Sequence, residues 1–281
     1  MTKFYFSILF CCVFTHSFSQ NGITICHTSS TEKFALLASN NDFNAQHPTP
    51  GKYIHVSEEG GKMITFKTPD GQNASGYFIE AKQKSSNWIF VFQEWWGLNE
   101  YIKRQTEILY KDLGNVNVVA LDMYDGKVAA DRQTASGYMR QFKQERGNAI
   151  VKGALDFAGS DAKVGTLGWC FGGGQSLIAS ITVGKQAAGG VIYYGMPVDE
   201  IEELKKLNCD ILGIFASREK YITPEIVKKF VENMNTAGKK LTVKNYDAEH
   251  GFANPSNTIF DKTATEDAWK HTLAFFRERL K

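Results

Sequence analysis

Gly168-Trp169-Cys170-Phe171-Gly172-Gly173 sets a thiol between glycines directly after the apolar run Val164–Leu167. A sharp turn from a buried strand into a helix strains the backbone at its apex and crowds the positions on either side, so flanking glycines suit an exposed nucleophile at the apex. The competing reading is a cysteine that only packs, since free thiols are small and often buried. A reactive thiol needs a base, and His250 in Asp247-Ala248-Glu249-His250-Gly251 is the best-placed imidazole to take its proton. Of the other histidines, His16, His27, His47 and His55 precede the region of regular alternation and His271 falls within the last helical stretch. An imidazole base in turn needs an orienting carboxylate. Glu219 in Arg218-Glu219-Lys220 has the chain order expected of a nucleophile–acid–base set, whereas Asp210 precedes the adjoining strand and sits at its wrong end. A solvated salt-bridge residue is the plainer alternative for Glu219. Glu94, in Gln93-Glu94-Trp95-Trp96-Gly97, is a carboxylate among aromatic rings, a costly placement unless it is paired or functional.

These residues need a frame that brings them together. From Trp88 onward, short apolar runs alternate with amphipathic stretches. Strands are predicted at Trp88–Phe92, Val116–Leu121, Val164–Leu167, Gly190–Tyr194, Ile211–Ala216 and Leu241–Tyr246. Helices are predicted at Asn99–Asp112, Ala129–Phe157 (broken near Gly147), Gly173–Thr182, Asp199–Lys206, Thr223–Ala237 and Thr263–Leu280. Ahead of them, Met63–Phe66 and Ser75–Glu80 flank Pro69-Asp70-Gly71 as a hairpin at a sheet edge. Such alternation implies an α/β fold with a mostly parallel, doubly wound sheet and helices on both faces. Ligands of such sheets lie beyond the carboxyl ends of the strands, and Glu94, Cys170, Glu219 and His250 each follow a predicted strand. The backbone N–H groups of Trp95 and Phe171 are then suited to an oxyanion hole, and Trp95 and Trp96 to a substrate-facing wall.

The 281 residues, 43% hydrophobic and 13% aromatic, suffice for one large domain over residues 61–281. A net charge of +2 without long Lys/Arg blocks argues against nucleic acid or an anionic membrane as partner. Lys3, the short apolar run Phe4–Phe14 and Ser17-Phe18-Ser19 read as a signal peptide over residues 1–20, which implies a periplasmic or secreted protein with no stable membrane association after cleavage. Residues 21–60 are polar and turn-rich, and read as an extension wrapped on the surface. Past the signal, Cys26, Cys170 and Cys209 remain; a Cys26–Cys209 bridge would leave Cys170 reduced.

Gln93-Glu94-Trp95-Trp96-Gly97, Asp122-Met123-Tyr124, the Cys170 elbow, Glu219 and His250-Gly251-Phe252 together resemble the dienelactone hydrolase family of the α/β-hydrolase fold, over about residues 60–281. The resemblance implies a hydrolase that opens a small ester or lactone through an acyl-thioenzyme; no metal or cofactor is expected, and the protein is expected to be a monomer. It assigns Cys170 as nucleophile, His250 as base, Glu219 as third member and Glu94 as a gate that holds the resting thiol. Trp96, Tyr124 and Phe252 fall in the implied substrate pocket. The family's acid is usually Asp, and Glu219 replaces it. Its substrate-clasping arginines are missing from Tyr124-Asp125-Gly126-Lys127 and Phe252-Ala253-Asn254-Pro255, which points away from dienelactone itself; Lys127 offers a point charge without the bidentate fork. A small-molecule binding protein on the same scaffold is the alternative from another class. A thiol-redox role has no Cys-x-x-Cys to support it.

Overall fold

The computed structural model describes residues 29–281, so the expected signal peptide and Cys26 lie outside the described residues. Eight strands form one sheet: β1 (Lys62–Lys67), β2 (Asn73–Ile79), β3 (Asn87–Phe92), β4 (Asn117–Leu121), β5 (Lys163–Trp169), β6 (Ala187–Tyr193), β7 (Ile211–Ala216) and β8 (Leu241–Tyr246). Their spatial order is β1-β2-β4-β3-β5-β6-β7-β8. β2 runs antiparallel to β1 and β4, and every other pairing is parallel. The near-continuous apolar runs at the centre follow from this arrangement, because β3, β4 and β5 are covered on both faces. β8, at the edge, is only half-buried.

The helices are α1 (Ser30–Ala38), α2 (Asn41–Ala45), α3 (Glu100–Leu113), α4 (Arg132–Gln141), α5 (Gln144–Ala158), α6 (Phe171–Val183), α7 (Ile201–Leu204), α8 (Pro224–Thr236) and α9 (Lys262–Arg279). The alternation, the hairpin and the mostly parallel sheet match the sequence expectation. The break in the predicted 129–157 helix falls at Phe142–Lys143, earlier than Gly147. Phe142 leaves helical geometry to set its ring on Phe171, 5.0 Å between centroids. Gly147 serves that packing from inside α5, since a Cβ there would meet the Phe142 ring at 2.7 Å.

The stretch from Ser29 to His47 departs most from expectation. A capping box, Ser29 with Glu32, starts α1, and the Asn40 side chain caps α2. Both helices bury aromatic faces: Phe34 and Phe43 are almost fully inaccessible. The arm is tied down by Gln175 donating to the Thr31 hydroxyl (3.1 Å) and by Ser136 donating to the Ala38 carbonyl (2.5 Å). Among the described residues no helix is long and apolar enough to cross a membrane.

Candidate active site

β5 delivers Cys170 at the sharp turn into α6. Its φ of 58° and ψ of −121° lie outside the ordinary L-residue regions, so the turn stores strain at the thiol. The neighbouring glycines let the backbones touch: a Cβ on Gly168 would lie 2.0 Å from the Gly172 carbonyl oxygen, and one on Gly172 would lie 2.3 Å from the Phe92 oxygen. Phe171 opens α6, so its N–H is among those a helix leaves without an internal partner. Trp95 sits in the loop after β3, the parallel neighbour of β5, at the same end of the sheet.

The loops after β7 and β8 carry the other two groups. Ser217 and Arg218 donate backbone N–H bonds to the carbonyls of Tyr246 and Ala248, at 2.8 and 3.0 Å, which fixes one loop against the other. His250 Nε2 then lies 3.4 Å from Cys170 Sγ, and His250 Nδ1 lies 2.5 Å from Glu219 Oε2. All three residues are buried: Cys170 and His250 are each 1% exposed and Glu219 6%. Glu219 Oε1 accepts the Tyr221 N–H at 3.1 Å. Burial alone would raise the Glu219 carboxyl, but the His250 charge and hydrogen bond, with the Tyr221 and Ile222 N–H groups, hold it below its ordinary value. His250 is raised well above its own: burial opposes this, and the charges of Glu219 and Cys170 outweigh it. Burial pushes the Cys170 thiol up, against the His250 ring. The thiol and the imidazole thus face each other across one contact, with Glu219 raising the imidazole from its other side.

Glu94 is turned to Asn254, whose amide donates to Oε2 at 2.6 Å, and not to the thiol. Burial pushes its carboxyl up to about 7, although His250 and Asn254 pull it down. It lines a cavity of about 140 Å³ with Ile102, Ile108, Trp169, Tyr194 and Asn254. The residues expected to wall the pocket are elsewhere. Trp96 and Phe252 are buried in the core and line none of the described cavities. Tyr124 stacks on Phe171 at 5.6 Å and borders a separate cavity with Lys127, whose ammonium lies over the Tyr138 ring. Asp210 pairs with Arg279 (2.6 Å) and Lys240 (3.1 Å) at the far end of its strand. Cys209 is half-buried and has no disulfide partner among the described residues.

Sequence reasoning missed two residues of the arm. Phe43 packs edge-on against the His250 ring at 5.5 Å and against Trp95 at 5.7 Å. His47 lies 5.2 Å from His250 and 5.0 Å from Trp95, ring to ring. The capping signals at Ser29 and Asn40 were the available clue that the arm is structured. His47 itself, set before Pro48, reads as a turn residue.

A strand–thiol–helix elbow with an imidazole and a carboxylate on the following strand ends defines an α/β-hydrolase fold. Residues 74–280 match the Dienelactone hydrolase family, and the chain belongs to it. It is 28% identical over 232 residues to Protein usf of Aquifex pyrophilus, covering 78% of this chain and 99% of that one. It is 24% identical over 227 residues to Carboxymethylenebutenolidase 1 of Cupriavidus pinatubonensis, covering 76% and 94%. Among solved structures it is similar to a dienelactone hydrolase-like promiscuous phosphotriesterase from metagenomic libraries, with TM-score 0.68, 21% identity, and coverage of 79% of this chain and 99% of that one. The arm that carries Phe43 and His47 precedes the matched residues.

Proposed function

We propose that this protein hydrolyses small carboxylic esters or lactones through a thioester on Cys170. The observation that carries the reading is the buried relay from Cys170 Sγ through His250 to Glu219, at 3.4 and 2.5 Å, at the carboxyl ends of the strands. His250 takes the thiol proton as Sγ attacks the substrate carbonyl carbon. The oxyanion that forms is met by the backbone N–H groups of Phe171 and Trp95. Collapse of the tetrahedral adduct breaks the C–O bond, and His250 returns the proton to the leaving alkoxide. Water then attacks the thioester with His250 as base, which releases the carboxylic acid and restores the thiol. Glu219 keeps the imidazole oriented throughout. Substrate enters from the cavity beside Glu94. As Glu94 moves off, its negative charge, which helps hold the thiol proton in place, is removed.

The N-terminal charge and apolar run support export to the periplasm or beyond, with the mature chain acting alone on a soluble small molecule. Detection of the precursor and a shorter mature form in separate cell fractions checks that part. For the chemistry, p-nitrophenyl acetate and simple lactones are turned over by the wild type, and intact mass shows one acyl group per chain, lost in Cys170→Ala. Unchanged turnover in that variant overturns the assignment; tight ligand binding with no turnover across an ester and lactone panel would assign the protein to binding instead.

A further inference from the structure

The proposed hydrolysis uses one nitrogen of one histidine at the thiol, yet a second imidazole is aimed at the same point. His47 Nδ1 lies 2.7 Å from the Phe43 carbonyl oxygen. A carbonyl only accepts, so Nδ1 carries the proton and Nε2 of the neutral ring presents a lone pair. That Nε2 is buried without a hydrogen-bond partner among the described residues. His250 has the same arrangement, with Nδ1 on the Glu219 carboxylate and Nε2 toward Cys170 Sγ. One ligand atom from each of His47, Cys170 and His250 lies within 4.8 Å of the others.

An imidazole whose remote nitrogen is held by a carbonyl or carboxylate is the usual outer-shell arrangement of a metal-binding histidine. Thiolate and imidazole together select zinc-like cations over magnesium or calcium. With Zn–S near 2.3 Å and Zn–N near 2.0–2.1 Å, a tetrahedral site separates its ligand atoms by roughly 3.3–3.6 Å. The Cys170–His250 edge, at 3.4 Å, already has that spacing. His47 sits on the arm, outside the residues that match the family, and closing the remaining distance takes a shift of roughly 1 Å.

We propose that His47, Cys170 and His250 form a binding site for Zn²⁺ or a similar thiophilic cation, and that its occupancy switches hydrolysis off. Binding exchanges the thiol proton for the metal: the S–H bond breaks, an S–Zn bond forms, one proton leaves to solvent and nothing is oxidised. The nucleophile and its base are then both engaged. Binding itself is independent of the proposed hydrolysis; only the inhibition rests on it.

The test uses the intact protein, stripped with a chelator, and titrates Zn²⁺ against a chromophoric competitor. One equivalent per chain is expected, weakened about 100-fold or more in Cys170→Ser and in His47→Gln. Co²⁺ in the wild type reads the ligands directly: a thiolate charge-transfer band with intense four-coordinate visible bands is expected. Absence of stoichiometric Zn²⁺ binding, a Co²⁺ spectrum without thiolate, or binding unchanged in either variant overturns the proposal. The Co²⁺ spectrum decides it even where a variant fails to fold. Ester hydrolysis by the metal-free wild type should vanish with one equivalent of Zn²⁺ and return with EDTA; persistence of activity in the loaded enzyme overturns the switch. A metal-free enzyme with no hydrolysis at all refutes the proposed function while the titration still decides the site.

Discussion

Two histidine–glutamate pairs are buried among the described residues, and their surroundings differ. His250–Glu219 and His55–Glu107 each close to 2.5 Å with side chains almost fully inaccessible. In the first pair the second imidazole nitrogen faces Cys170 at the strained elbow, 3.4 Å away. In the second, the imidazole lies beside α3 with no contact to the thiol, and Glu107 also accepts the N–H groups of Glu58 and Glu59 at 2.6 Å each. That carboxylate is consumed as a clamp on the segment leading to β1. A buried His–Glu pair is therefore not by itself a site; the first differs in having its far nitrogen on a thiol at a strained turn.

The sharpest way to break this comparison is the same substitution in both pairs. Glu219→Gln keeps the shape of the acid but offers an N–H where the imidazole needs an acceptor, and should lower kcat for ester hydrolysis by about 10⁴-fold with KM little changed. Glu107→Gln should leave kcat within a few-fold of wild type. Equal losses in the two variants would show that both pairs act through stability alone.

The next effect is on folding. Glu107→Ala removes the buried acid partner of His55 and the acceptor of two part-buried backbone N–H groups, and a loss of about 3–5 kcal/mol in urea unfolding is expected. Hydrolysis well below the melting temperature should persist, because Glu107 touches none of the reacting groups. A stability change under 1 kcal/mol, roughly the value of an exposed pair, would mean that the clamp is solvated in practice.

The contrast between the two pairs also separates what the sequence made legible from what it did not. The elbow carries its own signature, because only glycines fit around Cys170 and the preceding run must be a buried strand. Glu219 and His250 could be read from chain order, since strands of this sheet release their loops on one edge. The arm followed no such rule. Phe43 stands singly among polar residues on a helix of five residues, and Phe34 opens the apolar run Phe34-Ala35-Leu36-Leu37-Ala38 on a helix of nine, both too short for periodicity to declare a face. Their burial is decided by the surface they meet, as is that of His47. The pocket wall was misplaced for a related reason: Trp96 and Phe252 flank the functional motifs in sequence, but the cavity is built by side chains converging from separate elements, among them Ile102 of α3 and Trp169 of β5.

Glu94 sharpens the comparison from a third direction, since it is a buried carboxylate at the same site whose hydrogen-bond partner is an amide. Glu219, paired with His250, is held below its ordinary value, whereas Glu94, bonded to Asn254, is raised from 4.5 to about 7. The folded protein therefore holds the Glu94 proton more tightly than the unfolded chain does. Its contribution to stability is fully present below about pH 4.5 and is lost as pH rises through about 7. The slope for one proton approaches about 1.4 kcal/mol per pH unit. Glu94→Gln removes this loss, so urea midpoints of the variant and wild type should diverge progressively between those limits, with the variant the more stable at the alkaline end. A constant difference across the window would mean that Glu94 ionises as an ordinary carboxylate despite its burial.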